Sequence, residues 1–278
     1  MRTLYHISTE GKNVIFRSEH DFIYFMNKLG IVSDKLGVRI FAFCVMSTHL
    51  HTIVQTENIE SFISTLNSLD IRHFAATYNI HGSNMVFTSN ALKDQDYITS
   101  AIEYVLRNPV HHNVAANAFE YPYSSIRLPY PEIFNPPKRY WDEGICIEKN
   151  IKHTHELSMR EIKSVFGRFT PNNDWLIKDS KLILPECYVD NSLIKEIYRT
   201  FRAYLYGMTQ NRASSKSESS LAAYRISDIK VCRIIDNTLI QRGFRLDNMP
   251  LDVEEELRHC LYDYGATDAQ IDRCLWKL

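Results

Sequence analysis

Residues 39–56, RIFAFCVMSTHLHTIVQT, hold two runs rich in β-branched, aromatic and other apolar side chains, Arg39 to Met46 and His49 to Thr56, separated only by Ser47 and Thr48. Strands joined by so short a connection pair as antiparallel neighbours, because a parallel partner would need a crossover of a dozen residues or more. This hairpin is the fixed point around which the first half must be arranged. Before it, LYHIST (4–9) reads as a strand, and the segment from Ser18 to Gly37 carries Phe22, Phe25, Leu29 and Val32 at helical spacing with Ser18 as N-cap. After it, Phe62, Ile63, Leu66, Leu69 and Phe74 mark a helix from Ile59 to Tyr78, and Gly82-Ser-Asn ends it. MVFTS (85–89) reads as a fourth strand, and a third helix is expected from Asp94 to Asn108. Strands separated by helices, with one hairpin among them, predict an α+β domain with helices packed on a small antiparallel sheet.

At 278 residues the chain is longer than one typical compact domain, so two units are expected. A hydrophobic content of 45% with 23% charged residues belongs to a globular protein. The net charge of −1 excludes a simple polybasic nucleic-acid binder, so any phosphate contact must come from local groups. No apolar run reaches the roughly 20 residues of a membrane span, and the start, MRTLYHISTEGKNV, lacks the apolar core of a signal peptide. A cytoplasmic protein without a membrane partner is the expectation. The six cysteines never form a CxxC pair, which fits reduced and mostly buried thiols better than a zinc site or a disulfide framework.

The character changes after Pro129. PYPEIFNPPKRYWDEG is rich in proline and aromatic residues, and 131–190 is read as an extended connection. A mainly helical region is expected over 191–278: Asn191 to Tyr206, Ser227 to Arg242, and two apolar-periodic segments on either side of Tyr264-Gly-Ala-Thr-Asp268. Gly265 suits a helix C-terminus and Thr267 an N-cap there, as in a helix-turn-helix.

On a strand, residues two apart share a face, so His49 and His51 project side by side while Leu50 points the other way. Two imidazoles so placed can chelate one ion, but they are equally compatible with hydrogen-bonded residues on a half-buried strand. His153-Thr-His155 repeats the spacing within the charged segment KNIKHTHELS and is read as solvated linker, so spacing alone decides nothing. In DYITSAIEYVLRNPV, Ile98, Ile102 and Val105 form a core stripe, and Tyr104 and Asn108 lie four apart on a neighbouring one. Proline disfavours the α conformation in the residue before it, so Asn108 is expected in the last turn or just beyond, its side chain free to reach a ligand.

These residues carry a resemblance. THLHTIV is similar to the His-hydrophobe-His motif of the HUH endonucleases, and EYVLRNPV to the tyrosine motif of single-tyrosine transposases, most closely the REP-associated tyrosine transposases. LYHIST, the strand into VMSTHLH, the helix ending HFAATYNIHGS, MVF and EYPYSSIRL follow in the family's order, so the likeness covers residues 1–130. The chain departs from the family at Thr48, often an Asn, and at Tyr123, often a Trp. The resemblance implies a ferredoxin-like or RRM-like HUH domain in which His49, His51 and Asn108 hold a divalent ion, Mg²⁺ or Mn²⁺, and Tyr104 is the nucleophile. It also implies a DNA transposase that cuts and rejoins single-stranded, hairpin-bearing DNA through a 5′-phosphotyrosine. The alternative is a non-catalytic relative that binds structured DNA or RNA.

The chemistry explains the residue types. A tyrosine with a pKa near 10 is a weak nucleophile at neutral pH and needs a Lewis acid on the phosphate. Two imidazoles and an amide are neutral ligands that leave the ion its full charge, and mixed nitrogen and oxygen ligation suits Mn²⁺ as well as Mg²⁺. Lys195, Arg199 and Arg202, interleaved with Tyr198, Phe201 and Tyr204, are candidates for binding a single strand by charge and stacking, or equally the solvated face of an amphipathic helix. In the terminal segment Gln270 and Arg273 could face DNA, yet Glu254, Glu255, Glu256 and Asp263 would repel phosphate, so helical packing or a homodimer contact is expected there.

Overall fold

A computed structural model describes residues 2–11, 13–80, 85–134, 151–178, 181–209 and 226–276. The first half runs β1 (Thr3–Glu10), α1 (Glu19–Leu36), β2 (Arg39–Val45), β3 (Leu50–Thr56), α2 (Ile59–Tyr78), β4 (Val86–Leu92) and α3 (Gln95–His111). β1 pairs antiparallel with β3 and β4, and β2 with β3, giving the order β2-β3-β1-β4. This βαββαβ path is the ferredoxin-like arrangement, an α+β fold on an antiparallel sheet. Residues 81–84, with the expected break at Gly82, lie outside the described residues.

Local chemistry sets the boundaries. The Ser18 side chain caps α1, the Asp21 carboxylate answers from the third helical position, and Gly37 closes the helix at φ 62°. Asn58 caps α2, and Asp94 caps α3 by accepting from Asp96 N and Tyr97 N. α3 continues to His111, through Pro109. The ring forfeits one backbone hydrogen bond, and the ladder resumes where His112 N donates to Asn108 O at 3.1 Å.

The sheet buries both faces. On one, Ile7, Phe43, Val45, Leu50 and Val54 pack with Phe22, Phe25 and Leu29 of α1 and with Phe62 and Leu66 of α2. On the other, Ala42, Cys44 and Ile53 receive Ala101, Ile102, Val105 and Leu106 of α3. Each of these larger aliphatic side chains contributes roughly 1.5–3 kcal/mol on leaving water. A bulge in β2 between Ile40 and Ala42 places Phe41 and Ala42 together on the α3 side. β4 is an edge strand with most of its residues exposed.

The second half comprises α4 (Pro131–Phe134), β5 (Lys152–His153), α5 (Met159–Phe166), β6 (Leu176–Ile177), α6 (Ser192–Tyr198), α7 (Phe201–Thr209), α8 (Asp228–Arg242), α9 (Leu251–Asp263) and α10 (Asp268–Leu275). The described residues of the 131–190 stretch, expected as an extended connection, carry α4, α5 and a small sheet and send Val165, Phe166, Phe169, Trp175, Ile177, Ile183 and Val189 into the core beside α1. His153 and His155 are exposed and stacked on each other at 5.2 Å, with His153 ending the two-residue strand β5. The polar stretch 210–225 and Cys146 lie outside the described residues, and the five other cysteines are free thiols. No helix among the described residues is long and apolar enough to cross a membrane.

Helices α8 to α10 share a core of Val231, Ile235, Leu239, Val253, Leu257, Leu261 and Ile271, which Val14 joins from the first half. Gln270 and Arg273 take part in helical packing, the reading preferred for this segment over facing DNA. Gln270 is buried and donates to Ile226 O and Asp228 Oδ1, while Arg273 pairs with Asp228 at 2.7 Å. Arg17, fully buried, donates to Cys274 O and pairs with Asp236 at 2.6 Å, fastening α8 and α10 to the segment before α1. Arg17→Met keeps the aliphatic stem but strands the carbonyl, and because Asp236 can rehydrate, the expected loss is roughly 2 kcal/mol in urea unfolding. An unchanged midpoint would show that the guanidinium does not fasten the two halves.

Candidate active site

The hairpin turn is as tight as the sequence implies. Met46 N donates to His49 O at 2.7 Å, leaving Ser47 and Thr48 as the connection. Ser47 O accepts from Ile15 N and Phe16 N at 2.7 and 2.9 Å, and Ser47 Oγ donates to Asp228 Oδ2 at 2.7 Å. The same Asp228 holds Arg273 and Gln270, so the C-terminal helices grip the turn immediately before His49.

From this turn His49 and His51 project onto the α3 face, their ring centres 5.1 Å apart. His49 Nε2 lies 2.8 Å from Asn108 Oδ1, and its Nδ1 lies 2.8 Å from Thr48 Oγ1. Tyr104, one turn earlier on α3, sets its ring edge-on to His51 at 5.1 Å. The structure therefore gathers His49, His51, Tyr104 and Asn108 in one place. Tyr104 is 42% exposed and open to an incoming molecule, whereas Asn108 is fully buried. Asn108 does sit in the last turn, but it is held by His49 rather than free.

Three further histidines complete the group. His6 of β1 sets Nε2 3.2 Å from His51 Nδ1 and its ring edge-on to Tyr104 at 6.0 Å. His111 stacks on Tyr104 at 5.6 Å, and His112 lies 4.7 Å from His49. Neither His6, His111 and His112 nor Thr48 stood out as site residues in the sequence. His6 depends on the register of β1 against β3, which pairs Ser8 with His51 and leaves His6 diagonal to it. His111 and His112 depend on α3 continuing through Pro109.

Burial lowers the pKa of all five imidazoles. The effect is largest at His51, where burial and then His49, His6 and His112 bring the value down to about 3. At His49 burial outweighs the Asn108 hydrogen bond, which acts in the opposite direction. The shifts favour the uncharged imidazole, the form that can act as a metal ligand.

The donor types present, imidazole nitrogens and an amide oxygen, are ones a divalent ion accepts. Among the described residues no three His, Cys, Asp or Glu side chains are grouped to hold an ion, so one here requires the Asn108 oxygen beside the histidines. The 2.8 Å between His49 Nε2 and Asn108 Oδ1 is close to the ~3 Å edge expected between adjacent ligands of an octahedral ion with bonds near 2.1 Å. Asn108 Nδ2 is buried without a hydrogen-bond partner.

No known family matches the sequence, and no curated protein does. Among solved structures the chain is similar to the REP-associated tyrosine transposase bound to a REP hairpin, at 17% identity and a TM-score of 0.39, covering 48% of this chain and 82% of that one.

Lys195, Arg199 and Arg202 are exposed on α6, the break after it and α7. The aromatics between them are not a stacking surface. Tyr198 is buried and donates to Glu103 Oε1, Tyr204 is fully buried and donates to Ile126 O, and Phe201 packs edge-on to Tyr130. Gly207 makes room, since a Cβ there would meet the Tyr198 ring at 2.7 Å. The two helices therefore brace α3 from behind through Glu103.

The histidine burial has a measurable sign. His51 binds a proton near pH 6.5 when unfolded but only near pH 3 when folded, so its contribution to stability is complete above pH 6.5 and is lost as pH falls through that window. With metal chelated, urea midpoints measured from pH 7 to 4 should fall with pH, and His51→Gln should flatten the slope. Equal slopes would mean that His51 titrates normally.

Proposed function

We propose that this chain is a divalent-metal-dependent DNA strand transferase of the single-tyrosine transposase type, acting on single-stranded, hairpin-bearing DNA. The observation that carries the reading is the 2.8 Å approach of His49 Nε2 to Asn108 Oδ1, with His51 and Tyr104 ranged beside them. His49, His51 and Asn108 would hold Mg²⁺ or Mn²⁺, whose chemistry when bound is to polarise the phosphate and offset developing charge.

Tyr104 supplies the nucleophile. Its oxygen attacks phosphorus as the bond to the 3′ oxygen breaks, the phenol proton is lost, and the departing 3′ oxygen takes up a proton. The product is a 5′-phosphotyrosyl link with a free 3′-hydroxyl, and attack by such a hydroxyl reverses the step and joins strands. Bond energy is conserved, so the reaction needs no nucleotide hydrolysis. Tyr97, seven residues earlier on the same helix stripe and 50% exposed, offers a face on which a base can stack. Lys195, Arg199 and Arg202 are left as exposed cations for phosphate contact outside the catalytic group.

Incubation with Mn²⁺ and hairpin-bearing single-stranded oligonucleotides should yield a denaturation-resistant protein–DNA adduct that Tyr104→Phe abolishes and chelation prevents. Asn108→Ala should weaken Mn²⁺ binding by at least about tenfold. Hairpin binding that ignores metal, with no adduct on any oligonucleotide, would instead identify a non-catalytic binder of structured nucleic acid.

A further inference from the structure

We infer that His6 and Thr48 are positioning residues that take the protons of His51 and His49 at Nδ1 when a divalent ion is bound, so that both Nε2 atoms can present lone pairs to it; this rests on the reading of the site given above. A neutral imidazole has one N–H and one lone pair, and the hydrogen bond at one nitrogen decides what the other can do.

At His51 the deciding contact is Nδ1 to His6 Nε2 at 3.2 Å. One of the two nitrogens must donate. With His6 accepting, its own proton sits on Nδ1, the His51 proton sits on Nδ1, and His51 Nε2 keeps its lone pair. The sheet fixes where the His6 imidazole stands: β1 lies between β3 and β4, and the pairs Ser8 with His51 and Ser8 with Thr88 set its height on the α3 face. The Ser8 and Thr88 hydroxyls, 2.7 Å apart, tie the neighbouring rung.

At His49 the contact is Nδ1 to Thr48 Oγ1 at 2.8 Å. A hydroxyl can accept or donate, and this suits a ligand that must exist with and without its ion. Without the ion, His49 Nε2–H donates to Asn108 Oδ1 and the threonine donates to Nδ1. With the ion, Nε2 and Oδ1 present lone pairs to one cation, and the threonine accepts from Nδ1–H. Passing from the first state to the second, His49 gives up its Nε2 proton and takes one up at Nδ1 by exchange with solvent, while the threonine hydroxyl turns from donor to acceptor.

Manganese affinity measured by electron paramagnetic resonance, together with nitrogen-15 shifts of labelled histidines, tests the assignment on the full chain. His6→Phe and Thr48→Val should each weaken Mn²⁺ binding roughly 10–100-fold, the usual cost of losing an outer partner of a ligating histidine. His6→Gln and Thr48→Ser, which restore an acceptor, should recover most of it, which a packing role would not produce. In wild type the His51 proton should report from Nδ1, and in His6→Phe it should spread over both nitrogens. The assignment is overturned if His6→Phe leaves both Mn²⁺ affinity and the His51 tautomer unchanged. If wild type binds no Mn²⁺ the metal reading fails, and the tautomer comparison alone then upholds or overturns the role of His6.

Discussion

Everything in the candidate site depends on the register of β3 between its two neighbours. His51 lies opposite Cys44 on one side and Ser8 on the other, which turns it, with Ile53, toward α3. Leu50 and Val54 then face the aromatic core under α1 and α2. Because side chains alternate with a period of two, a slip of one residue would drive the imidazoles among Phe22, Phe25 and Phe62 and set Leu50 against Asn108. The hydrophobic content of Leu50 and Val54 thus selects the face on which His51 meets Tyr104. The bulge at Phe41 works with it, adding a residue to β2 so that the strand feeds the α3 face with both Phe41 and Ala42.

The second constraint comes from the other end of the chain. His49 stands at the mouth of a two-residue turn, where a hairpin would ordinarily be mobile. Here the turn is held by Ile15 and Phe16 at its carbonyl and by Asp228 at its hydroxyl, while Arg273 and Gln270 neutralise and orient that aspartate. Arg17 and Val14 carry the same union through the core. The C-terminal helices therefore act on the site by fixing where His49 begins. Gln270 and Arg273, for which the sequence favours helical packing over DNA contact, are the side chains that do this.

Much of the fold was legible because its signals are local. Ser18, Gly37, Asn58 and Asp94 mark helix ends by chemistry confined to a few residues, and the Ser47-Thr48 interruption marks the hairpin. The pairing of Tyr104 with Asn108 follows from helical spacing alone. What escaped was either long-range or a contest between local rules. His6 enters the site only through strand pairing 45 residues away. Pro109 signals a helix end, but packing of Leu106 and Val105 against the sheet outweighs one lost hydrogen bond, so His111 and His112 stay on the helix path. The alternation of basic and aromatic residues at 195–204 looked like a strand-binding face, and burial of Tyr198 and Tyr204 shows the aromatic half to be core. Residues 151–190 hid their core positions because isolated side chains such as Phe166 and Trp175 have no periodicity to betray them.

Charge completes the physical picture. A chain of net charge −1 offers no long-range field to draw in a polyanion, so a nucleic-acid substrate would have to be held by contacts made at short range. The site has the right kind for that. Its imidazoles carry lowered pKa values, so under the proposed function they would draw phosphate only through an ion bound by His49 and His51. Tyr104 is exposed beside His6 of β1, and the sheet residues around His6, Ser8 with its partner Thr88 and the paired Asn90, are uncharged and polar. Under the proposed function the exposed phenol would stand on the solvent side of half-buried His49 and of buried His51 and Asn108.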